Sequence, residues 1–204
     1  MSGFSGASDN IRAAFILLLI NFCIHVVSFG SPFWSTRSRL EEWELDDDGN
    51  PVEVLIVRSG GNAGLWTGCT EGECYERYNL WVPGWLKSAQ SFFTIALICM
   101  AFTGFLLILY IFHKNYDRDK RVVVLACFLA YLGSFCTVMT WIVWLASSYM
   151  SNGEQVNWPF YLAVISGFFN FIIALFITSE VRRPLIEIQD DKPYLLKDSV
   201  DRFL

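Results

Sequence analysis

Four stretches of this chain contain no Asp, Glu, Lys or Arg: Ala13 to Phe29, Ser88 to Phe112, Val122 to Met150 and Gln155 to Thr178. A hydrocarbon core about 30 Å thick is crossed by roughly 20 apolar residues in a helix, and each stretch is long enough. The composition follows from them. Of 204 residues 54% are apolar and 17% charged, with a mean hydropathy of +0.40. A soluble domain of this length closes its core without such an excess.

Counting cations sets the expected orientation. Lys114, Arg118, Lys120 and Arg121 fall between the second and third stretches, and Arg182, Arg183, Lys192, Lys197 and Arg202 follow the fourth. The segment between the third and fourth has no Lys or Arg. The excess of Lys and Arg on cytoplasmic segments then divides the chain as a single four-span unit over residues 1–204. It has a cytosolic N-terminus (1–10), a first span (11–30), an extracellular loop (31–87), a second span (88–112) and a cytosolic loop (113–121). A third span (122–148), a short outer loop (149–158), a fourth span (159–178) and a cytosolic tail (179–204) complete it. The first stretch is preceded by Asp9 and a single Arg12, without a basic n-region or a clear small-residue cleavage site, so it is expected to stay as a helix. The expected location is the plasma membrane, multi-pass, with both termini cytosolic.

The large outer loop carries ten acidic and five basic residues and reads as β-structure. Phe33 to Leu40 and the β-branched run Val52 to Arg58 are strand candidates, with Asp46 to Pro51 as the turn between them. A calcium loop fits the same turn in part, with Glu44, Asp46, Asp48 and Gly49 at positions 1, 3, 5 and 6. Position 12 would be Leu55, which has no carboxylate, so a plain turn is the reading and no metal is expected. Ala63 to Cys69 and Cys74 to Asn79 are two further strands. If Cys69 and Cys74 face each other across a tight hairpin, their Cα atoms lie near 5 Å, within disulfide range. Such a bond requires an oxidising compartment, in agreement with the cation count. The fold class is thus membrane α-helical: a four-transmembrane left-handed helix bundle with a small extracellular antiparallel β-sheet.

Within the spans, Asn21 is expected to bond a neighbouring helix and His25 to sit near the outer interface, and neither is expected to handle ions. Ala126, Ala130 and Ser134, with Gly133 and Thr137 beside them, and Ala163, Gly167 and Ala174 with Asn170, let helix backbones approach closely. Cys23, Cys99, Cys127 and Cys136 read as small packing residues. All eight Trp fall in outer loops or at outer span ends, where indoles favour the membrane–water boundary. The tail reads as flexible. Asp191, Leu195 and Leu196 there have the form of an acidic dileucine sorting signal, and Asp201 to Leu204 that of a ligand for a cytosolic scaffold or adaptor. No His-Glu-x-x-His, Gly-x-Ser-x-Gly or phosphate-loop pattern occurs, and no cofactor, enzyme activity or nucleic-acid partner is expected.

Trp34, then Gly64-Leu65-Trp66, then Cys69 and Cys74 in one large outer loop between the first two of four spans resembles the claudin superfamily. That group comprises claudins, peripheral myelin and epithelial membrane proteins, lens fibre membrane intrinsic protein, and calcium-channel gamma and AMPA-receptor regulatory subunits. The four residues between the two Cys are nearer the lens protein's spacing than that of claudins. The resemblance implies an outer sheet of about four strands, with a fifth near Gln155 to Trp158. Trp34, Leu65 and Trp66 would pack it onto the bundle, and Cys69–Cys74 would be the family's loop disulfide. It further implies a protein of cell–cell junctions, including tight junctions, that meets itself or related proteins on the same or opposing cell. Glu41, Glu42, Glu44, Asp46, Asp47 and Asp48 would then bias which ions pass the paracellular space. The alternatives are an auxiliary subunit of an ion channel, docked through the small-residue faces of spans three and four, and an epithelial-membrane-protein-like membrane organiser.

Overall fold

The computed structural model of the protein describes residues 4, 7–37, 42–45, 51–54, 61–70, 73–77, 83–113, 120–150 and 154–200. In chain order the elements are α1 (Asp9–Gly30), β1 (Ser35–Arg37), β2 (Glu42–Leu45), β3 (Pro51–Val54), β4 (Gly61–Ala63), β5 (Thr67–Thr70) and β6 (Glu73–Glu76). Then come α2 (Gly84–Phe112), α3 (Lys120–Met150), β7 (Glu154–Val156) and α4 (Trp158–Val200). All four helices contain segments long and apolar enough to cross a membrane, the fourth over Trp158–Arg182. Four long apolar helices with a small antiparallel sheet are consistent with a four-span membrane fold.

Local chemistry explains the helix ends. Ser8 caps α1 by accepting from the Ile11 N–H at 3.4 Å, and Asp9 in the first turn complements the helix dipole. Pro32, just past the end of α1, cannot continue it. Pro159 lies in the first turn of α4, where its missing N–H costs nothing. Hydroxyls inside the spans bond back to their own helix: Thr103 to the Cys99 carbonyl, Thr137 to Gly133 and Thr140 to Cys136, at 2.8–2.9 Å. No hydroxyl among these three is left unsatisfied in an apolar medium. The helix α4 continues to Val200, so the expected flexible tail is instead helical backbone over 179–200. Apolar periodicity ends at Thr178, and α4 runs on through Pro184 and Pro193, each of which removes one N–H from the backbone ladder.

Helix α2 packs on α3, α3 on α4, α4 on α1 and, less extensively, α1 on α2. The interior is layered. At the end away from the sheet lie Ile11, Ala14, Leu18, Leu107, Ile173 and Ile177 with their neighbours. At the sheet end lie Trp34, Leu65, Leu86, Phe93, Trp144 and Phe160. Between them sits a polar belt. The Asn21 amide N–H donates to the Asn170 Oδ1 at 2.9 Å and the Ser166 carbonyl at 3.2 Å. His25 stacks on the Phe93 ring at 3.9 Å, and its Nε2 faces the Phe93 carbonyl at 3.3 Å while Nδ1 faces the Ser166 hydroxyl at 3.0 Å. A carbonyl only accepts, so Nε2 carries the proton and Nδ1 accepts from Ser166. Asn21 thus packs helix to helix as its residue type suggests, whereas His25, expected near the outer interface, is fully buried between helices because Phe93 and Ser166 supply its partners. The small residues do likewise: Ala126, Ala130, Ala163 and Ala174 are buried inside the bundle.

Five short strands form one antiparallel sheet in the order β6-β5-β4-β1-β7, and β2 with β3 forms a separate two-stranded sheet. The first and last loops of the chain therefore meet, because Ser35 pairs with Val156 and Arg37 with Glu154. A strand next to Gln155 is where the family resemblance puts the fifth. The segment expected as one strand from Ala63 to Cys69 is two, β4 and β5, folded back at Gly64, Leu65 and Trp66. Ala63 pairs with Gly68 across that turn.

Candidate interaction surface

The site is the outer sheet and its seat on the bundle, and it begins with a glycine. The Gly64 N–H donates to the Thr67 carbonyl at 2.9 Å, closing the turn with Leu65 and Trp66 at its tip. An added Cβ at Gly64 would stand 2.3 Å from the Ser31 carbonyl oxygen and 2.7 Å from the Pro32 Cα. Only glycine lets the turn press so closely onto the chain leaving α1. The tip is inserted into the bundle end. Leu65 is fully buried, its carbonyl accepts from the Gln90 side chain at 2.7 Å, and the Trp66 ring lies 5.1 Å from Phe29. Arg77 holds the turn from behind, with Nη1 donating to the Gly64 carbonyl at 3.0 Å and its backbone N–H to the Trp66 carbonyl at 2.8 Å.

Trp34 occupies the centre of this seat with no exposed surface. Its indole N–H donates to the Ser28 carbonyl at 2.7 Å, near the end of α1, where carbonyls lack helical partners. Its ring meets Phe93 of α2 edge-on at 5.2 Å, Trp144 of α3 at 5.1 Å and Phe160 of α4 at 5.9 Å. One side chain thus joins all four helices to β1. Beside it runs a polar tie that the sequence did not flag. Asn157 donates its backbone N–H to the Trp34 carbonyl at 2.9 Å and its side-chain amide to the Thr36 hydroxyl. Thr36 in turn donates to the Asn62 Oδ1 at 2.9 Å, so β4, β1 and the residue after β7 are linked through three side chains. An Asn just before an apolar span reads from sequence as loop, and only the β1–β7 pairing reveals its partner.

Cys69 and Cys74 are directly opposed in the β5–β6 register and joined by a disulfide, with Cα atoms 4.0 Å apart. Thr70 pairs with Glu73, so Glu71 and Gly72, outside the described residues, make the connection. On the next pair the Tyr75 ring covers Gly68, where an added Cβ would sit 2.9 Å from it, an aromatic side chain filling the gap a glycine leaves in a sheet. Strand β6 is an edge, and Glu73, Cys74, Tyr75 and Glu76 are all exposed. A bridge closing so small a loop contributes about 2 kcal/mol in the chain-entropy model. Replacing both Cys69 and Cys74 by Ala is therefore expected to lower the melting temperature of the purified protein by about 4–8 °C. A drop above 15 °C would show that the bridge holds the whole sheet and not one hairpin.

The other sequence-derived candidates are not gathered here. Glu42 and Glu44 lie on β2, paired with Val54 and Val52, in the separate two-stranded sheet. Glu41, Asp46, Asp47 and Asp48 fall outside the described residues. Asp191, Leu195 and Leu196 lie on the extension of α4. Among the described residues no group of His, Cys, Asp and Glu is arranged to hold a metal ion. What the arrangement offers chemically is a stiff, stapled edge strand fixed to a membrane bundle. Comparison of the sequence with family models and with curated proteins gives no match, so this reading rests on the chain's own geometry.

Proposed function

We propose that the protein is a claudin-like integral membrane protein of cell–cell contacts, whose outer sheet meets like sheets on the same or the opposing cell. In this reading the sheet faces outward at the plasma membrane and both termini are cytosolic. The observation that carries it is the seat of the sheet. Trp34, Leu65 and the Gly64 turn fix a small disulfide-linked sheet to the bundle end, leaving a short exposed edge strand. Binding surfaces held in one conformation lose little entropy on association. The motif from Trp34 through Cys74 and the strand beside Gln155 supply the resemblance. The acidic residues 41–48 then give the facing surfaces a fixed negative field.

The channel-subunit alternative would need a docking face on spans three and four. Ala126, Ala130, Ala163 and Ala174 are buried within the bundle and not available for it, which favours the junction reading. The membrane-organiser alternative draws on the same fold without a dedicated surface. The test is a mixed epithelial layer in which cells with and without the protein touch. Enrichment is expected at borders between two expressing cells, and uniform distribution regardless of neighbour would refute the proposal. In fully expressing layers, neutralising Glu41, Glu42, Glu44 and Asp46 to Asp48 is expected to reduce cation preference. One unit charge 7 Å from an ion in water is worth about 0.6 kcal/mol, roughly threefold in relative permeability. An unchanged dilution potential would remove the acids from the path.

A further inference from the structure

The β5–β6 hairpin carries its disulfide at the rim of the outer sheet. Cys74 is exposed, and among the described residues no strand lies beyond it. Cys69 lies on β5, with Asn62 of β4 opposite it on one side and Cys74 on the other, and is half-buried. A thiolate from solution therefore has open access on the Cys74 side, whereas strands flank Cys69. Cys23, Cys99, Cys127 and Cys136 all lie on helices α1, α2 and α3, so the sheet holds no third sulfur with which the bridge can reshuffle.

The seat of the sheet has other supports. The hairpin is held below the bridge by the Arg77 N–H on the Trp66 carbonyl at 2.8 Å and by the Tyr75 ring over Gly68. Leu65 and Trp34 are tied to the bundle through Gln90 and the Ser28 carbonyl. By linkage, a bond that adds little to the fold is protected little by it. The stabilisation that the chain-entropy model gives so short a loop converts to about 30-fold in the equilibrium with an external thiol. We propose that Cys69–Cys74 is a thiol–disulfide exchange site, at which a small-molecule thiol attacks Cys74 and converts the exposed edge from a stapled to an unstapled state. The thiolate bonds to the Cys74 sulfur, the S–S bond breaks, and its electron pair leaves on Cys69, which takes a proton from water. A second thiolate attacks the sulfur of the first, forming the small disulfide and releasing Cys74, so two thiols pass two electrons to the bridge. The proposal rests on the geometry of the sheet and not on the junction role.

Titration of the full-length protein in detergent micelles with glutathione buffers tests it, read by iodoacetamide trapping and peptide mass spectrometry. The same titration on protein unfolded in urea and sodium dodecyl sulfate is the reference. The equilibrium constant for opening is expected to be about 30-fold lower in the folded protein, and a difference above about 1,000-fold would show that the fold locks the bond and overturn the proposal. In samples trapped early, glutathione is expected on Cys74, and its appearance on Cys69 instead overturns the direction of attack. Opening by reduced thioredoxin but not by glutathione overturns the small thiol as the partner. Hydrogen exchange on the reduced protein should show loss of protection at β6 with β1 and β4 unchanged. Loss across β1 and β4 as well would make the bridge a staple of the whole sheet and overturn the switch.

Discussion

Trp34→Ala is expected to unseat the outer sheet while leaving the opposite half of the bundle intact. Truncating a fully buried large aromatic costs about 3–5 kcal/mol, which for a chain of this length corresponds to roughly 6–20 °C in melting temperature. Trp34 also meets Phe93, Trp144 and Phe160 together, so its loss opens a cavity that three helices border. Trp34→Phe separates the two contributions. It keeps most of the ring packing and removes the bond to the Ser28 carbonyl, which still accepts from the Ser31 N–H at 3.4 Å. That variant should lose only about 1 kcal/mol beyond its smaller ring. Hydrogen exchange locates the damage. Amides of β1, β4 and β7 should lose protection in Trp34→Ala, while those around Leu107 and Ile173 keep theirs. Uniform loss across all four helices would mean that the sheet and bundle do not separate at Trp34.

Gly64→Ala should be nearly as severe, for a different reason. The added methyl meets main-chain atoms, the Ser31 oxygen at 2.3 Å and the Pro32 Cα at 2.7 Å, and neither can step aside by changing rotamer. The turn must lift off the chain below it and withdraw Leu65 from its pocket. Overpacking of this kind costs about 1–3 kcal/mol, and the partial loss of Leu65 burial adds about 1–2 kcal/mol. Gly84→Ala is the matched control, because an added Cβ there meets nothing within 4 Å. Melting of the two variants within about 2 °C of each other would show that the turn tolerates displacement.

The spans were legible because a membrane imposes a length and forbids charge, and both can be counted along the chain. The disulfide was legible from two Cys separated by a stretch short enough to be a hairpin. The Gly64 turn was not. Ala63 to Cys69 has apolar residues at Leu65 and Trp66 in succession, which by itself fits a strand buried on both faces. The fold resolves it because those two side chains enter the bundle from the tip of a reversal. Strand β2, Glu42–Leu45, was missed since acidic residues disfavour strands by propensity, and pairing with β3 overrides that. His25 illustrates the same limit. Near the outer end of its stretch it reads as interfacial, yet it is fully buried against Phe93 and Ser166, partners 68 and 141 residues away. No local pattern encodes contacts at such separations.

The polar belt has a consequence for how the protein is made. Asn21 and His25 belong to the first helix synthesised, whereas Ser166 and Asn170 belong to the last. At 5–20 residues per second, the 145 residues between Asn21 and Ser166 take roughly 7–30 s to emerge. Throughout that interval the amide and imidazole of the first helix lack their Ser166 and Asn170 partners, and until Glu154–Val156 emerge β1 has no β7 beside it. A nascent chain arrested before Ser166 therefore keeps the amide and imidazole of its first helix without the partners the complete fold gives them.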